Sequence, residues 1–593
     1  MIKKELLTGN QAIARGAYEA GLLFASGYPG TPSTEILETM TQYKDELYCE
    51  WAPNEKVALE AALGAAIAGA RSMATMKHVG LNVAADPLFT ASYTGVEAGC
   101  IIISADDPGM HSSQNEQDNR NYAVAAKCLM LEPADSQEAK DFTKLAFELS
   151  ERFDTPVLLR LTTRICHSKS LVELEERRPA PAHPYTRKIS KYVATPANAR
   201  RLRLTLEERI AKMTDFSNQT ELNRVEEGGR AIGVVCAGVT YQYAREVFGD
   251  RASYFKVGMS WPLPVEAIRK FSKTVDKLYV IEELDPYMEN QLRQAGIDCT
   301  GKAVFPCIGE LDSDRIRQAL GEEQALSQAC DLQAVGRPPT LCAGCPHRGV
   351  FQALRKRKDL MISGDIGCYT LGSAPPLSAM DTTICMGASI SAGHGAAAAF
   401  RLTGQAIKTV AVIGDSTFFH SGITSLMNIT YNRGNCVALI LDNRITGMTG
   451  HQENPGSGYT LMGEPAVEVD IPKLCQAIGF KAEAIHEINP LDLDEVDRAL
   501  NQALAADEPS VIIAAWPCAI KKFTAEDRAR FDLNLPKCRI VQEKCTKCLL
   551  CVKTGCPAIH RGDEINIDPN ACTGCAVCYQ VCPFNAIVKE GQE

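Results

Sequence analysis

The sequence predicts an α/β protein: two doubly wound parallel-sheet domains, a small α/β domain between them, and a cysteine-rich C-terminal α+β domain. Three observations carry this. In residues 409 to 449 an apolar strand (Thr409 to Ile413) runs into Gly414-Asp415-Ser416. A helical stretch follows, then a second apolar strand (Cys436 to Leu441) that runs into Asp442-Asn443. Parallel strands joined by a helix bring both strand ends to one rim of a sheet. Nearer the start, apolar runs such as CIIIS (Cys100 to Ser104) and PVLLRL (Pro156 to Leu161) alternate with helix-periodic stretches. At the other end lie two closely spaced cysteine runs.

The bulk numbers narrow the class. A length of 593 residues suggests about four domains, and the apolar and charged fractions are those of a globular protein. Net charge is −10, which argues against nucleic acid as a partner. No stretch approaches the ~18 apolar residues of a membrane span. The opening MIKKELLTGN lacks the apolar core of a secretory signal, so a cytoplasmic protein is expected. Of 24 cysteines, nine fall in the last 56 residues. In a reducing compartment such a cluster indicates metal, not disulfides.

Residues 1–175 form the first expected domain. In Gly27-Tyr28-Pro29-Gly30-Thr31-Pro32-Ser33-Thr34 two prolines fix the loop, and Ser or Thr can cap a helix starting near Glu35. Asn54-Glu55 precedes KVALEAALGAAIAGAR, a helix lined with Ala and Gly, against which something packs closely. Glu55 falls at its N-terminus, where the helix dipole stabilises a carboxylate; a plain surface glutamate is the alternative. His78, in KHVGLN, and His111, in the polar loop Asp106 to Arg120, are acid/base candidates by residue type, though lone histidines are more often structural. Residues 176–228, rich in Arg, Lys and Pro, read as a linker with a surface helix. The aromatic interleaving of a nucleic-acid surface is absent from this basic run. Residues 229–329 read as the small α/β domain, with a packing role.

The next expected domain spans 330–530. Asp415, Asn443 and nearby carbonyls are hard oxygen ligands suited to Mg²⁺, and Gly414 allows close backbone approach to a phosphate. The alternative is a generic strand–turn–helix unit with a surface Asp. Cys342 and Cys345 form a CxxC, which alone is compatible with zinc, a redox pair or chance. Cys368 ends Gly364-Asp365-Ile366-Gly367-Cys368, and Cys518 follows Trp516-Pro517. In the tail, 537–593, Cys545-x₂-Cys548-x₂-Cys551-x₄-Cys556-Pro557 is followed by Cys572-x₂-Cys575-x₂-Cys578-x₃-Cys582-Pro583. This is the two-cluster ferredoxin pattern, in which the fourth cysteine of each run serves the other cluster. Cys545, Cys548, Cys551 and Cys582 then hold one [4Fe–4S] cluster, and Cys572, Cys575, Cys578 and Cys556 the second. The x₄ spacing inserts one residue before Cys556, and Cys538 stands outside the pattern. Zinc is the rival reading. Lys537, Arg539, Lys544, Lys547 and Lys553 face only Glu543, a charge run that can steer an acidic ferredoxin or be a solvated face.

The Gly-Asp-Ser…Asp-Asn spacing resembles the thiamine-diphosphate (TPP) motif. The order YPGTPST, Glu, small-residue helix is similar to the pyrimidine domain of 2-oxoacid:ferredoxin oxidoreductases, and CAGCPHR, GDIGC and WPC resemble the diphosphate domain of that family. The resemblance covers the whole chain and implies a TPP-binding fold. It implies that Glu55 bonds N1′ of the cofactor's aminopyrimidine and that Thr31 contacts the substrate carboxylate. Asp415, Asn443 and the carbonyl of Ile445 would hold Mg²⁺ and through it the diphosphate, with Gly414, Ser416 and Gly367 around the cofactor. Met386, before Gly387, would be the apolar wedge under it, and Gly447 to His451 would close over it. Cys342, Cys345, Cys368 and Cys518 would hold a third [4Fe–4S] cluster. YPGTPST, CAGCPHR and the GDS/DN pair on one chain are most similar to the large (alpha) subunits of the indolepyruvate-type members. That implies oxidative decarboxylation of aryl pyruvates with coenzyme A, electrons passing to soluble ferredoxin, and a smaller beta subunit in an α₂β₂ assembly. Many relatives carry a bulky residue at Gly30, so a pocket opened for a large side chain is expected. The competing readings are another 2-oxoacid:ferredoxin oxidoreductase subunit, a non-oxidative 2-oxoacid decarboxylase, and an electron-transfer subunit with an inactive TPP fold.

Overall fold

A computed structural model describes residues 3–180, 184–322, 335–336 and 338–591. The chain divides into two compact units at about residue 332. The expected boundary at 329/330 and residues 181–183 of the expected linker lie outside the described residues.

The first unit is built on a seven-stranded sheet. Its order is Met259–Trp261, Leu129–Leu131, Val157–Thr162, Cys100–Asp106, Ser72–Lys77, Phe24–Gly27, Tyr48–Trp51. All neighbours are parallel except the first pair. Strands 72–77, 100–106 and 157–162 are buried almost throughout, as strands covered on both faces must be. A second sheet orders Lys277–Ile281, Ile232–Ala237, Ala252–Val257 and the antiparallel edge Arg224–Glu226. It has its own apolar layers around Phe255, Ile268 and Met288, and around Phe248, Tyr254 and Phe305.

The small domain is not free-standing. Its strand Met259–Trp261 crosses over and pairs with Leu131 and Met130 at the rim of the first sheet. A buried ion pair joins the two layers further: Arg120, held by Asp118 on its own side, reaches Glu282 of the small domain at 2.7 Å. The 176–228 segment is likewise more than a linker. Its helix Pro196–Ser217 buries Leu202, Leu206 and Met213, and the Arg209 guanidinium donates to the carbonyl of Ser92. The basic run is thus partly a packed face.

The second unit holds a five-stranded parallel sheet ordered Leu360–Ser363, Lys408–Gly414, Val437–Asp442, Ser510–Ala515, Ile485–Ile488. Ile413 pairs with Ile440 and Gly414 with Leu441, so the next residues of both strands emerge at the same rim, as the spacing predicts. Two small antiparallel pairs build the tail: Cys538–Ile540 with Ile587–Lys589, and Ile559–Arg561 with Ile565–Ile567. No helix among the described residues is long and apolar enough to cross a membrane.

Candidate active site: two half-sites and a thiol cluster

The first unit carries Thr31 and Glu55. Glu55 opens the helix Glu55–Ile67; the side chain of Asn54 caps it by accepting from Val57 N at 2.9 Å. Glu55 is 4% exposed, which removes the reading of a surface glutamate. Its neighbour is Gly80: a Cβ there would stand 2.6 Å from Glu55 Cγ and 2.7 Å from Oε1. Gly80 is therefore the wall against which the carboxylate is set, a role that only the fold reveals. Gly80→Ala is expected to displace the carboxylate and lower kcat about 100-fold, as misplacements near 1 Å do, with cofactor content unchanged; wild-type kcat in the alanine variant would refute this.

Around Glu55, the loop 106–120 is laced onto the end of strand Ser72–Lys77. Lys77 Nζ donates to Ser112 O at 2.8 Å, and Asn119 Nδ2 donates to His78 O at 3.0 Å. Burial pushes the Lys77 ammonium down to about 8, against the attraction of Asp107 and Glu55. His78 is fully buried, its Nε2 lying 3.2 Å from Asn115 O. Burial first, and Lys77 second, push it down to about 4, so it is neutral at physiological pH. His111 pairs instead with Glu310 at 3.1 Å, a structural role. The helix after YPGTPS starts at Thr34, but Ser33 does not cap it; its hydroxyl turns back and donates to Gly30 O at 3.0 Å. Thr31 precedes a cis proline in this turn. At Gly30 an added Cβ would touch the aliphatic stem of Lys77 at 3.4–3.5 Å.

The second unit carries the remaining candidates. Asp415 and Asn443 are both buried. The Asn443 carboxamide oxygen faces Asp415 Oδ1 at 3.1 Å and the Ile445 carbonyl at 2.6 Å. Three oxygens with no proton among them repel, unless the amide turns over or a cation lies between them. Cis oxygens of an octahedral Mg²⁺ at about 2.1 Å stand about 3 Å apart, so this donor set suits that ion. Burial, then the Asp442 carboxylate, pushes the Asp415 carboxyl up; a divalent cation would reverse the direction. Asn454 Nδ2 donates to Asp415 Oδ2 at 3.0 Å, orienting it. Ser416 shares a 2.9 Å hydrogen bond with Thr446.

Gly414 has a steric reason to be small beside the phosphate approach that its motif suggests. A Cβ on Gly414 would meet the Tyr369 ring at 2.6 Å, and one on Gly367 would meet the same ring at 2.4 Å. Both glycines make room for that tyrosine. Asp365, which sequence reasoning passed over, is an organiser: its carboxylate accepts from Ile366 N, Gly387 N and Ser389 N at 2.8–2.9 Å. It thereby fixes Met386-Gly387 at the start of helix Ala388–Leu402. Ser421 Oγ donates to Met386 O at 2.9 Å. Ser421 sits in a π-helical turn, Phe418–Gly422, just past Asp415, the kind of bulge that often marks a functional site.

Cys342, Cys345, Cys368 and Cys518 gather beside this metal loop. Burial first, with Cys518 and Cys342 adding to it, pushes the Cys345 thiol up to about 12 and Cys368 up to about 11. Cys345 is buried, Cys368 and Cys518 are half-buried and Cys342 is exposed; thiols in electrostatic range of one another suit a cationic centre that stabilises thiolates. Cys518 N donates to Asn443 O at 3.0 Å. A Cβ on Gly447 would lie 3.6 Å from both Asn443 Nδ2 and Cys368 Sγ. His451 Nε2 stands 3.7 Å from Cys518 Sγ. The 447–451 segment thus lies between the metal loop and the thiols.

In the tail, one small cavity is lined by Cys545, Cys548, Cys551 and Cys582. Cys575 lies in electrostatic range of Cys556 and Cys538, and Cys538 N donates to Cys572 Sγ at 3.4 Å. Cys538 is therefore buried against the second set. Among the described residues no three His, Cys, Asp or Glu side chains converge as ligands of one bare ion; a four-iron cube spaces its thiolates more widely than a single ion does. Arg539, Lys544, Lys547 and Lys553 are exposed and Lys537 is half-buried.

Comparison with known proteins agrees with this layout. Residues 15–235 match the thiamine-diphosphate-binding family of pyruvate flavodoxin/ferredoxin oxidoreductases. Residues 365–514 match the C-terminal TPP-binding domain of thiamine pyrophosphate enzymes, and 565–588 match a 4Fe–4S binding domain. The chain is 42% identical to the indolepyruvate oxidoreductase subunit IorA of Archaeoglobus fulgidus, over 99% of this chain and 97% of that one. It is 40% identical to the IorA of Methanothermobacter thermautotrophicus, over 99% and 98%. It is 39% identical to that of Pyrococcus horikoshii, over 100% and 98%. With a TPP-binding α/β fold, a ferredoxin-like tail and full-length similarity of this order, the chain belongs to the IorA family of 2-oxoacid:ferredoxin oxidoreductases.

Proposed function

We propose that this chain is the large subunit of an enzyme that oxidatively decarboxylates aryl pyruvates, indolepyruvate among them. A 2-oxoacid, coenzyme A and two oxidised ferredoxins give an acyl-CoA, CO₂, a proton and two reduced ferredoxins. A smaller beta subunit completes the assembly, as α₂β₂. The observation that carries the oxidative reading is the hydrogen bond from Cys518 N to Asn443 O. It ties a thiol cluster fit for iron directly to the loop fit for Mg²⁺ and diphosphate. A non-oxidative decarboxylase has no use for an electron acceptor there.

When bound, TPP supplies the carbon centre that attacks the keto group and holds the electrons left by CO₂. The residues do the rest. Glu55, buried at its helix start, holds a proton at N1′ of the aminopyrimidine. Thr31 donates to the substrate carboxylate. Asp415, Asn443 and the Ile445 carbonyl hold Mg²⁺; Gly414, Ser416 and Gly367 shape the floor of the diphosphate loop; Met386, fixed through Asp365, props the cofactor. Cys342, Cys345, Cys368 and Cys518 hold the first electron acceptor. Cys572, Cys575, Cys578 and Cys556, and Cys545, Cys548, Cys551 and Cys582, would hold two further clusters, which would supply a path for electrons towards ferredoxin; the exposed lysines near the first run attract that partner.

The test is anaerobic ferredoxin reduction with a panel of 2-oxoacids, with and without coenzyme A, using this chain with and without its partner. Aryl-acetyl-CoA and reduced ferredoxin are expected; aldehyde without viologen reduction would favour the non-oxidative reading. Substrate size is tested at Gly30. An isoleucine there would press on the Lys77 stem, and turnover of aromatic 2-oxoacids should fall more than that of small ones. Equal losses would refute a pocket shaped at this point.

A further inference from the structure

Arg120, Arg348 and Arg444 are among the largest fully buried side chains. Arg120 is paired with Asp118 and Glu282, and Arg444 with Glu468 and Asp527. Arg348, 1% exposed, has no carboxylate partner among the described residues. Its guanidinium donates only to backbone carbonyls: Nη2 to Leu341 O at 2.7 Å and Cys342 O at 2.9 Å, and Nη1 to Thr554 O at 2.7 Å. Its Nε is buried with no partner. An uncompensated buried cation is strongly unfavourable, so a counter-charge belongs nearby.

Two sets of cysteines flank it. Leu341 and Cys342 begin the CxxC loop of the metal-side thiols. Thr554 lies between Cys551 and Cys556, in the turn Val552–Thr554 that closes on the left-handed Gly555. That turn absorbs the extra residue of the first run, and its carbonyl is what Arg348 grips. The two loops also meet directly, for a Cβ on Gly344 would fall 1.9 Å from Thr573 Oγ1, beside Cys572. Arg348 lies in electrostatic range of Cys345 on one side and of Cys575 on the other.

We propose that Arg348 is a positioning residue of the electron path, a fixed positive charge between two cluster sites whose neutralising charge is the bound clusters themselves. A [4Fe–4S] cube with four thiolates is net negative in both its usual oxidation states. The cation therefore favours the reduced form of each neighbouring cluster, while its three carbonyl bonds hold the two loops at a fixed separation. The inference rests on the assignment of clusters made above.

The test is an EPR-monitored redox titration of the anaerobically purified holoenzyme, with iron counted in parallel. In Arg348→Met the reduced-to-oxidised ratio of the two flanking clusters at fixed potential is expected to fall about tenfold, about 59 mV for a one-electron couple. The cluster of Cys545, Cys548, Cys551 and Cys582 should not move, and Arg348→Lys, which keeps the charge, should stay near wild type. Wild-type midpoints in Arg348→Met at full iron content, or a lysine variant that behaves like the methionine one, would overturn the proposal. If Arg348→Met fails to retain iron, iron content decides: retention by Arg348→Lys supports the charge role, and equal loss refutes it. Wild-type iron separates the two layers of argument. About twelve atoms per chain agree with three clusters. About eight would remove the third cluster and leave the shift to be read at the Cys572 set alone.

Discussion

Glu55→Gln is expected to lower kcat by about 10²–10⁴-fold, the usual range for loss of a positioned acid/base group. The substitution keeps size and shape, so the contact with Gly80 and the Asn54 cap persist. What is lost is the charge. An amide in place of a carboxylate cannot take or hold a proton at the aminopyrimidine, whatever its position. TPP content, iron content and thermal stability should therefore match wild type, and KM for the 2-oxoacid should change little. Single-turnover cluster reduction by substrate, followed by EPR, separates this effect from product release. Turnover within about tenfold of wild type would place the proton transfer on another group. Lys77 and His78 then become the first alternatives, since both lie at the adjoining strand end.

Asp415→Ala is expected to abolish turnover by a different route, through failure to load the cofactor. Even partners of metal ligands are worth about 10–100-fold in affinity, so losing a first ligand should weaken Mg²⁺–TPP binding by more than about 100-fold. A differential signature follows. Without cofactor, Asp415 and Asp442 are neighbouring buried carboxylates, both pushed up by burial, and removing one relieves that repulsion. The alanine variant should thus be at least as heat-stable as the wild-type protein when both are cofactor-free. A ligand present at about 100 times its Kd adds about 2.7 kcal/mol to the folded state, and only wild type should show that rise in Tm. A variant that gains the same stabilisation from Mg²⁺–TPP would disprove the role assigned to Asp415.

Much of this is legible in the sequence itself. The register of Ile413 with Ile440 and Gly414 with Leu441 follows from two apolar strands of matched length ending in polar ligands. The burial of Glu55 is implied by the family resemblance alone, since by its residues a glutamate at a helix start reads as a surface group. The lining of one tail cavity by Cys545, Cys548, Cys551 and Cys582 follows from the offset of two cysteine runs. What stayed hidden has a common cause. Gly80 behind Glu55, Tyr369 over Gly367 and Gly414, and Arg348 between two loops are contacts between segments far apart or oddly oriented. They carry no period and no turn chemistry of their own. Asp365 reads locally as one more turn aspartate, yet two of its three donors lie more than twenty residues away. Strand Met259–Trp261, three residues long, is too short for any alternation to announce that it leaves one sheet for another.

That short strand bears on how the protein can be taken apart. A fragment cut at residue 175 would keep every residue of the Glu55 half-site and still lack what seals it. The rim at Leu129–Leu131 would present bare amides and carbonyls, an invitation to edge-to-edge aggregation, and Arg120 would lose Glu282, at a cost of several kcal/mol. Swapping the front of this enzyme onto another back end therefore has to carry the chain through to residue 322 as a single cassette.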